Sequence, residues 1–297
     1  MKTEKNILVA FLLNLAFSLF ELVGGMFTHS VAILSDAVHD FGDAVSIGIS
    51  YFLEKKSHTA VDETHTYGYL RYSVLGGLIS TVILILGSGV MLKESIERLF
   101  HPVAVDYRGM LLLAVVGVAV NLVAAFVTRE GDSLNQKSVN LHMLEDVLGW
   151  AVVLVGAVIM NVTDCAALDA LMSIGVAVFI LVCAVKNLAE IVNLFLEKTP
   201  ADVDIAHLKE ELCRIEGVQE VHHLHIRSMD GVHHYATLHI VTETADLPAL
   251  KAAVRAELAE HHIVHVVIET EAVRCDEADC RPVFADEPRH GHHHHHH

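Results

Sequence analysis

Six apolar stretches dominate the first two thirds of the chain: Ile7–Phe27, Val31–Leu53, Tyr72–Leu92, Gly109–Thr128, Val139–Val162 and Ala166–Val185. A helix of about 20 apolar residues crosses a hydrocarbon core of roughly 30 Å, so the pattern predicts six transmembrane helices. The first run follows Lys2 and Lys5 as a signal peptide would. It continues without a small-residue cleavage pattern and a second span follows at once, so it reads as a membrane helix. Beyond Pro200 the periodicity changes. Ile205, Leu208, Leu212 and Ile215 fall at helical spacing over Asp204–Ile215, and Gly217 ends the run. Val221–Arg227 and Tyr235–Val241 alternate as strands about a turn at Gly231. Leu247–Leu258 is helical again, and Ile263–Thr270 reads as a third strand. The order helix–strand–strand–helix–strand predicts a small α+β domain of ferredoxin-like, metallochaperone-like form, with its helices on one sheet face. The expected organisation is a transmembrane domain over 1–199, an α+β domain over 200–274 and a tail over 275–297, in which His292–His297 reads as an expression tag.

Composition agrees with a bilayer. Of 297 residues, 53% are hydrophobic and 19% charged, with a mean hydropathy of +0.46. A soluble domain cannot hide so large an apolar share. The net charge of −17 excludes nucleic acid as the partner, which would call for a basic face. Five scattered cysteines form no disulfide framework and read as free thiols in a reducing compartment. An even number of spans puts both termini on one side. That side carries Lys2, Lys5, Lys55, Lys56, Arg71, Arg129, Lys137, Lys186 and Lys198, against Lys93, Arg98 and Arg108 on the other. The positive-inside rule then places both termini in the cytoplasm.

Against this background the ionisable residues inside the spans stand out, because each costs about 2.5–3.5 kcal/mol to insert. The second span carries Asp36, His39, Asp40 and Asp43, and the fifth His142, Glu145 and Asp146. Both contain His-x-x-x-Asp, as His39/Asp43 and His142/Asp146. Four residues are about one turn, so each pair shares a helix face, roughly 6 Å apart along the axis. Opposed, the two faces would offer two imidazoles and two carboxylates, a set that suits tetrahedral Zn²⁺. The two helices run in opposite directions, so the pairs can meet somewhat to the cytoplasmic side of the midplane, the depth at which secondary transporters hold ions. The competing reading is interhelical hydrogen bonding, which is the expectation for Asn14 and Glu21 on the first span. Asp36 reads as lining an access path, and Asp40 points off the His39/Asp43 face.

The C-terminal segment holds a second concentration of imidazoles, at 207, 222, 223, 225, 233, 234, 239, 261, 262 and 265. Strand alternation puts His225, His239, His265 and Glu269 on the outer sheet face, with Glu271 following on the same side. Solvated polar residues on an open sheet face are the alternative. Alternation sets His222 on the core side with Leu224 unless the strand starts after it. Cys275 and Cys280 are spaced more widely than in strong zinc knuckles, which favours free thiols.

Taken together, these motifs resemble the cation diffusion facilitator family of zinc transporters. Leu13-Asn14 through Glu21-Leu-Val-Gly24-Gly25 looks like its opening helix, and SVAILSDAVHDFGD (Ser30 to Asp43) is similar to its second-span signature. His65-Thr-Tyr-Gly68-Tyr-Leu-Arg71 looks like its short loop motif, and Asn140-Leu-His142 through Asp146 resembles its fifth-span half site. VHHLHI (Val221 to Ile226) and HVVIETE (His265 to Glu271) are similar to its cytoplasmic domain. The resemblance implies a six-helix homodimer in a bacterial inner membrane that exports Zn²⁺ from the cytoplasm in exchange for protons. It carries the metal ligands onto His39, Asp43, His142 and Asp146, and matches His239, His265 and Glu271 to metal positions of the cytoplasmic domain, with His222 as a further nominee. It also places a metal-binding Cys pair near Cys275 and Cys280 in some members. Cd²⁺ is an expected passenger through similar coordination. The chain departs from the family in its modest loop between the second and third spans, and in the acids Asp40 and Glu145, which are expected to broaden metal choice. An enzyme is disfavoured, since no H-E-x-x-H motif occurs and the site has no open position. A membrane-anchored metal sensor using the His-rich domain is the alternative function.

Overall fold

The computed structural model describes residues 2–28, 31–101, 107–129, 133–163 and 166–275, with some side chains inside these helices, His39 and Asp36 among them, outside the described residues. Six long helices come first: α1 (Lys2–Thr28), α2 (Val31–Ser57), α3 (Arg71–Phe100), α4 (Tyr107–Arg129), α5 (Leu134–Thr163) and α6 (Ala166–Phe195). Each outruns its apolar stretch into the residues that flank it. Lys93 lies 3.6 Å from Glu97 one turn on in α3. Lys137 on α5 meets Glu190 on α6 at 2.5 Å. Among the described residues, Thr3–Gly24, Arg71–Phe100 and Ser173–Phe195 are long and apolar enough to cross a membrane. α2 and α5 are the helices that carry the His-x-x-x-Asp pairs.

Small and hydrogen-bonding residues let α3 approach its neighbours closely, as is usual between membrane helices. A Cβ at Gly77 would stand 3.1 Å from the backbone N and Cα of Asn135 on α5. Asn135 donates to the Ser50 carbonyl (3.1 Å) and to Glu54 Oε2 (3.0 Å), both on α2. The Ser73 hydroxyl donates to the same Glu54 oxygen at 2.5 Å. One to two turns along, Asn187 on α6 donates to Thr81 Oγ1 and Ser138 Oγ at 2.8 Å each, joining α3, α5 and α6. The side-chain amide N–H groups of Asn135 and Asn187 are thereby satisfied inside the bundle.

The connection between α2 and α3 is organised by one carboxylate. Asp62 Oδ1 accepts from the Thr64 and His65 backbone N–H groups (2.9 and 2.7 Å) and from the Thr64 hydroxyl (2.7 Å). The Tyr69 hydroxyl donates to Oδ2 at 2.5 Å, and His65 stacks on that ring at 4.1 Å. Led by the Tyr69 and Thr64 hydroxyls, these donors hold the Asp62 carboxyl well below the usual carboxylate range.

The chain divides into two compact units, 1–200 with 227–234, and 201–226 with the chain from 235 onward. In the second, α7 (Ile205–Cys213) starts at Asp204, whose side chain accepts from the Ala206 and His207 N–H groups. β1 (Glu220–Ser228), β2 (His234–Val241), α8 (Leu247–Glu260) and β3 (Ile263–Glu271) follow. The sheet order is β1-β2-β3. Bonds from Gln219 to Val241 and from Met229 to His233 make β1 and β2 antiparallel. A bond from Thr242 to Glu271, with Tyr235 beside His265, makes β2 and β3 parallel across the α8 crossover. Leu208 and Leu212 of α7, Val254 and Leu258 of α8, and Leu224, Ile226, Leu238 and Ile240 of the sheet form one core.

The expected alternation breaks at one point in β1. His223 adopts a φ of +47°, in the left-handed region that non-glycine residues seldom occupy. Val221 and His222 are consequently both buried. One extra residue is accommodated there, as in a β-bulge.

Candidate metal sites

The first candidate lies between α2 and α5. One ligand atom each from Asp43, His142 and Asp146 lies within 4.8 Å of the others. His142 and Asp146 are one turn apart on α5, so they share a face, and His142 Nε2 comes within 3.0 Å of Asp43 Oδ1 on α2. His142 and Asp43 are only 2% and 6% exposed. Among the described residues, neither ring nitrogen of His142 nor Oδ2 of Asp146 has a hydrogen-bond partner. The 3.0 Å approach is an ion-pair distance between the two helices. Buried polar atoms left in this way cost about 1–3 kcal/mol each, and a cation held between them would remove that cost. His39 precedes Asp43 by one turn of α2; its side chain lies outside the described residues.

The neighbouring acids separate from this group. Glu145 accepts from the Ser88 hydroxyl of α3 at 2.7 Å, a tie that sequence spacing gave no means of seeing. Asp40 is buried on α2 but does not enter the three-residue group. Asn14 and Glu21 are both buried on α1.

The second candidate is built on the sheet face that the helices leave uncovered. His222, His239, Glu271 and Cys275 each offer a ligand atom within 4.8 Å of the rest. His239 Nδ1 meets Glu271 Oε1 at 2.6 Å, and His222 Nε2 lies 3.3 Å from Glu271 Oε2. Cys275 Sγ lies 3.4 Å from His222 Nε2 and 3.8 Å from His239 Nδ1, while its backbone N–H donates to Glu271 Oε2 at 2.9 Å. Burial works against the Glu271 charge, but the His239 ring and the Cys275 N–H outweigh it and hold the carboxyl below its usual range. Burial and the neighbouring imidazoles of His222 and His239 push His223 down. Two nitrogens, an oxygen and a sulfur form a donor set that suits Zn²⁺ and softer divalent ions.

This differs from the face expected from alternation. His239 and Glu271 do come together, and Glu269 lies 3.4 Å from the other nitrogen of His239. His225 and His265 stand outside the group. The Met229–His233 register sets His225 opposite Thr237, two residues from His239, and His265 packs on the Tyr235 ring at 4.9 Å. His222 enters because the backbone at His223 shifts the phase of β1. Cys275 enters without Cys280, which lies outside the described residues.

Comparison with known proteins covers both units. The cation efflux transmembrane domain matches residues 7–196, and the cation efflux protein cytoplasmic domain matches residues 200–273. The chain is 31% identical over 300 residues to a zinc transporter, ZitB, of Yersinia pestis, covering 99% of this chain and 96% of the relative. It is 30% identical over 290 residues to the metal cation efflux system protein CzcD of Cupriavidus metallidurans, covering 96% and 92%. It is 29% identical over 300 residues to a cadmium, cobalt and zinc/H(+)-K(+) antiporter of Bacillus subtilis, covering 97% and 96%.

Proposed function

The chain belongs to the cation efflux, or cation diffusion facilitator, family, and we propose that within it this protein exports Zn²⁺ from the cytoplasm in exchange for protons. Membership makes it a multi-pass membrane transporter of divalent metal cations with a cytoplasmic C-terminal domain, and not an enzyme. The observation that carries the finer reading is the Asp43–His142–Asp146 group: three ligand side chains gathered in one place from two helices, with the His142 ring nitrogens and Asp146 Oδ2 lacking a hydrogen-bond partner among the described residues. His39, one turn before Asp43, is the proposed fourth ligand of a tetrahedral site. Two imidazoles favour Zn²⁺, and Cd²⁺ fits the same donors.

Coupling follows from acid–base chemistry. Metal binds neutral imidazole and ionised carboxylate, so loading the site releases protons and protonating it releases the metal. A site open alternately to each side then lets an inward proton gradient drive metal outward. We place the protein in a bacterial inner membrane as a homodimer with both termini cytoplasmic, in keeping with the Lys and Arg distribution. The transmembrane domain is taken as 1–199, the cytoplasmic domain as 200–274 and the tail as 275–297. His222, His239, Glu271 and Cys275 of the cytoplasmic domain are the proposed holders of a second, regulatory zinc, with Glu269 beside them.

Zinc uptake into proteoliposomes tests the reading. Uptake should depend on the pH difference and vanish in Asp43→Ala and in Asp146→Ala. Full transport by both variants would reject the assignment. A membrane-anchored sensor would tolerate either substitution.

A further inference from the structure

The helical side of the C-terminal domain carries a cluster that neither site above uses. Each of its two helices presents a His and a Glu one turn apart: His207 and Glu211 on α7, Glu257 and His261 at the end of α8. The Glu211 carboxylate stands between two imidazoles, with His261 Nε2 2.9 Å from Oε2 and His207 Nε2 3.1 Å from Oε1. Glu211, Glu257 and His261 each bring a ligand atom within 4.8 Å of the other two. We propose that this α7–α8 face is a separate divalent-cation site, with Glu211, Glu257 and His261 as ligands, His207 as an adjoining donor and Zn²⁺ as the fitting ion.

Three observations carry it. The helices are held in fixed relation beneath the cluster, because Leu208 and Leu212 of α7 and Val254 and Leu258 of α8 are buried in one core. The ligand set is therefore positioned by packing, as a binding site requires. Next, the chemistry is balanced for a dication: two carboxylates at this separation repel, and an ion of charge +2 between them turns that repulsion into coordination. Imidazole with carboxylate is a common zinc donor set, and the partial exposure of the site leaves room for water to complete a tetrahedron. Finally, the site is independent of the cluster around Glu271. The helices cover the sheet face bearing Leu238 and Ile240, whereas His239 between them points to the opposite face, so the sheet separates the two. A cation here would clip α7 to α8.

The test counts zinc bound by the full-length protein in detergent, with the His292–His297 run removed, by equilibrium dialysis across a range of free Zn²⁺. Glu211→Gln/His261→Ala should bind one equivalent fewer per chain. Glu257→Gln should bind that equivalent at least tenfold more weakly. Glu210→Gln/Glu260→Gln, which removes two carboxylate charges from exposed positions on the same helices, should keep the wild-type count. An unchanged count in Glu211→Gln/His261→Ala, or an equal loss in the control pair, would overturn the proposal. Should the first variant lose its circular dichroism signal, Glu257→Gln decides: wild-type affinity there overturns the site. The count is read without transport, so it stands or falls separately from the export mechanism.

Discussion

Alanine at Gly77 probes the close passage of α3 against α5. The added Cβ would stand 3.1 Å from Asn135 N and Cα and 3.2 Å from the Leu134 carbonyl carbon. Carbon contacts rest at about 3.5–4.0 Å, so the helices must part by roughly 0.5 Å, and backbone cannot rotate aside as a side chain would. Asn135 would then draw away from Ser50 and Glu54, which it now meets at 3.1 and 3.0 Å. Overpacking costs about 1–3 kcal/mol. With the strained bond to a carboxylate added, we expect about 2 kcal/mol, or roughly a 30-fold shift in the unfolding equilibrium. A Cβ at Gly87 on the same helix would meet nothing within 4 Å, so Gly87→Ala should be neutral, or gain up to about 1 kcal/mol from helix propensity. The assay is reversible unfolding in mixed micelles by SDS titration, followed through Trp150, the only tryptophan in the chain. If the two variants unfold at the same SDS fraction, the inferred backbone contact is wrong.

Ser88→Ala removes the hydroxyl that donates to Glu145; the same titration should show a loss of about 1.5–3 kcal/mol, the range for a bond to a charged group. Cys275→Ser should weaken metal binding at the cytoplasmic cluster, and weaken Cd²⁺ more than Zn²⁺ because thiolate is the softest donor there; competition dialysis reads the ratio, and an unchanged ratio would remove Cys275 from the ligands. The Asp62 carboxyl is depressed in the folded loop, so its contribution is complete above the usual carboxylate range and is lost as pH falls below it. Hydrogen exchange at Thr64 and His65, corrected for intrinsic rates, should remain slow at neutral pH, quicken only in strong acid, and be quick at neutral pH in Asp62→Ala.

Local periodicity carried most of the secondary structure. Apolar runs located α1 to α6, and the strands and helices after Pro200 followed from period and turn residues. The helix ends were less legible: α3 runs on to Phe100 through Lys93 and Glu97, paired one turn apart, a contact that hydropathy does not register. The pair His142/Asp146 was readable because one turn of one helix sets it. The approach of Asp43 to His142 depends on how two helices pack, which spacing within either cannot express. Glu145 illustrates the same limit, since its partner Ser88 lies 57 residues away. In the C-terminal domain, alternation sorted His239 and Glu271 correctly. It left the side of His222 open and did not show which of the outer-face imidazoles gather, because strand register and the backbone at His223 decide which of them meet.

That left-handed residue makes position 223 the spare link of β1. A chain shortened by His223 would close into unbroken alternation, with Leu224 still turned to the core and His222 still beside His239. Shortening by Leu224 instead would draw His223 into the core position that Leu224 fills. The strand therefore has one place where length is free to vary while its chemistry stays put, and a metal-binding readout of the two deletions would tell them apart.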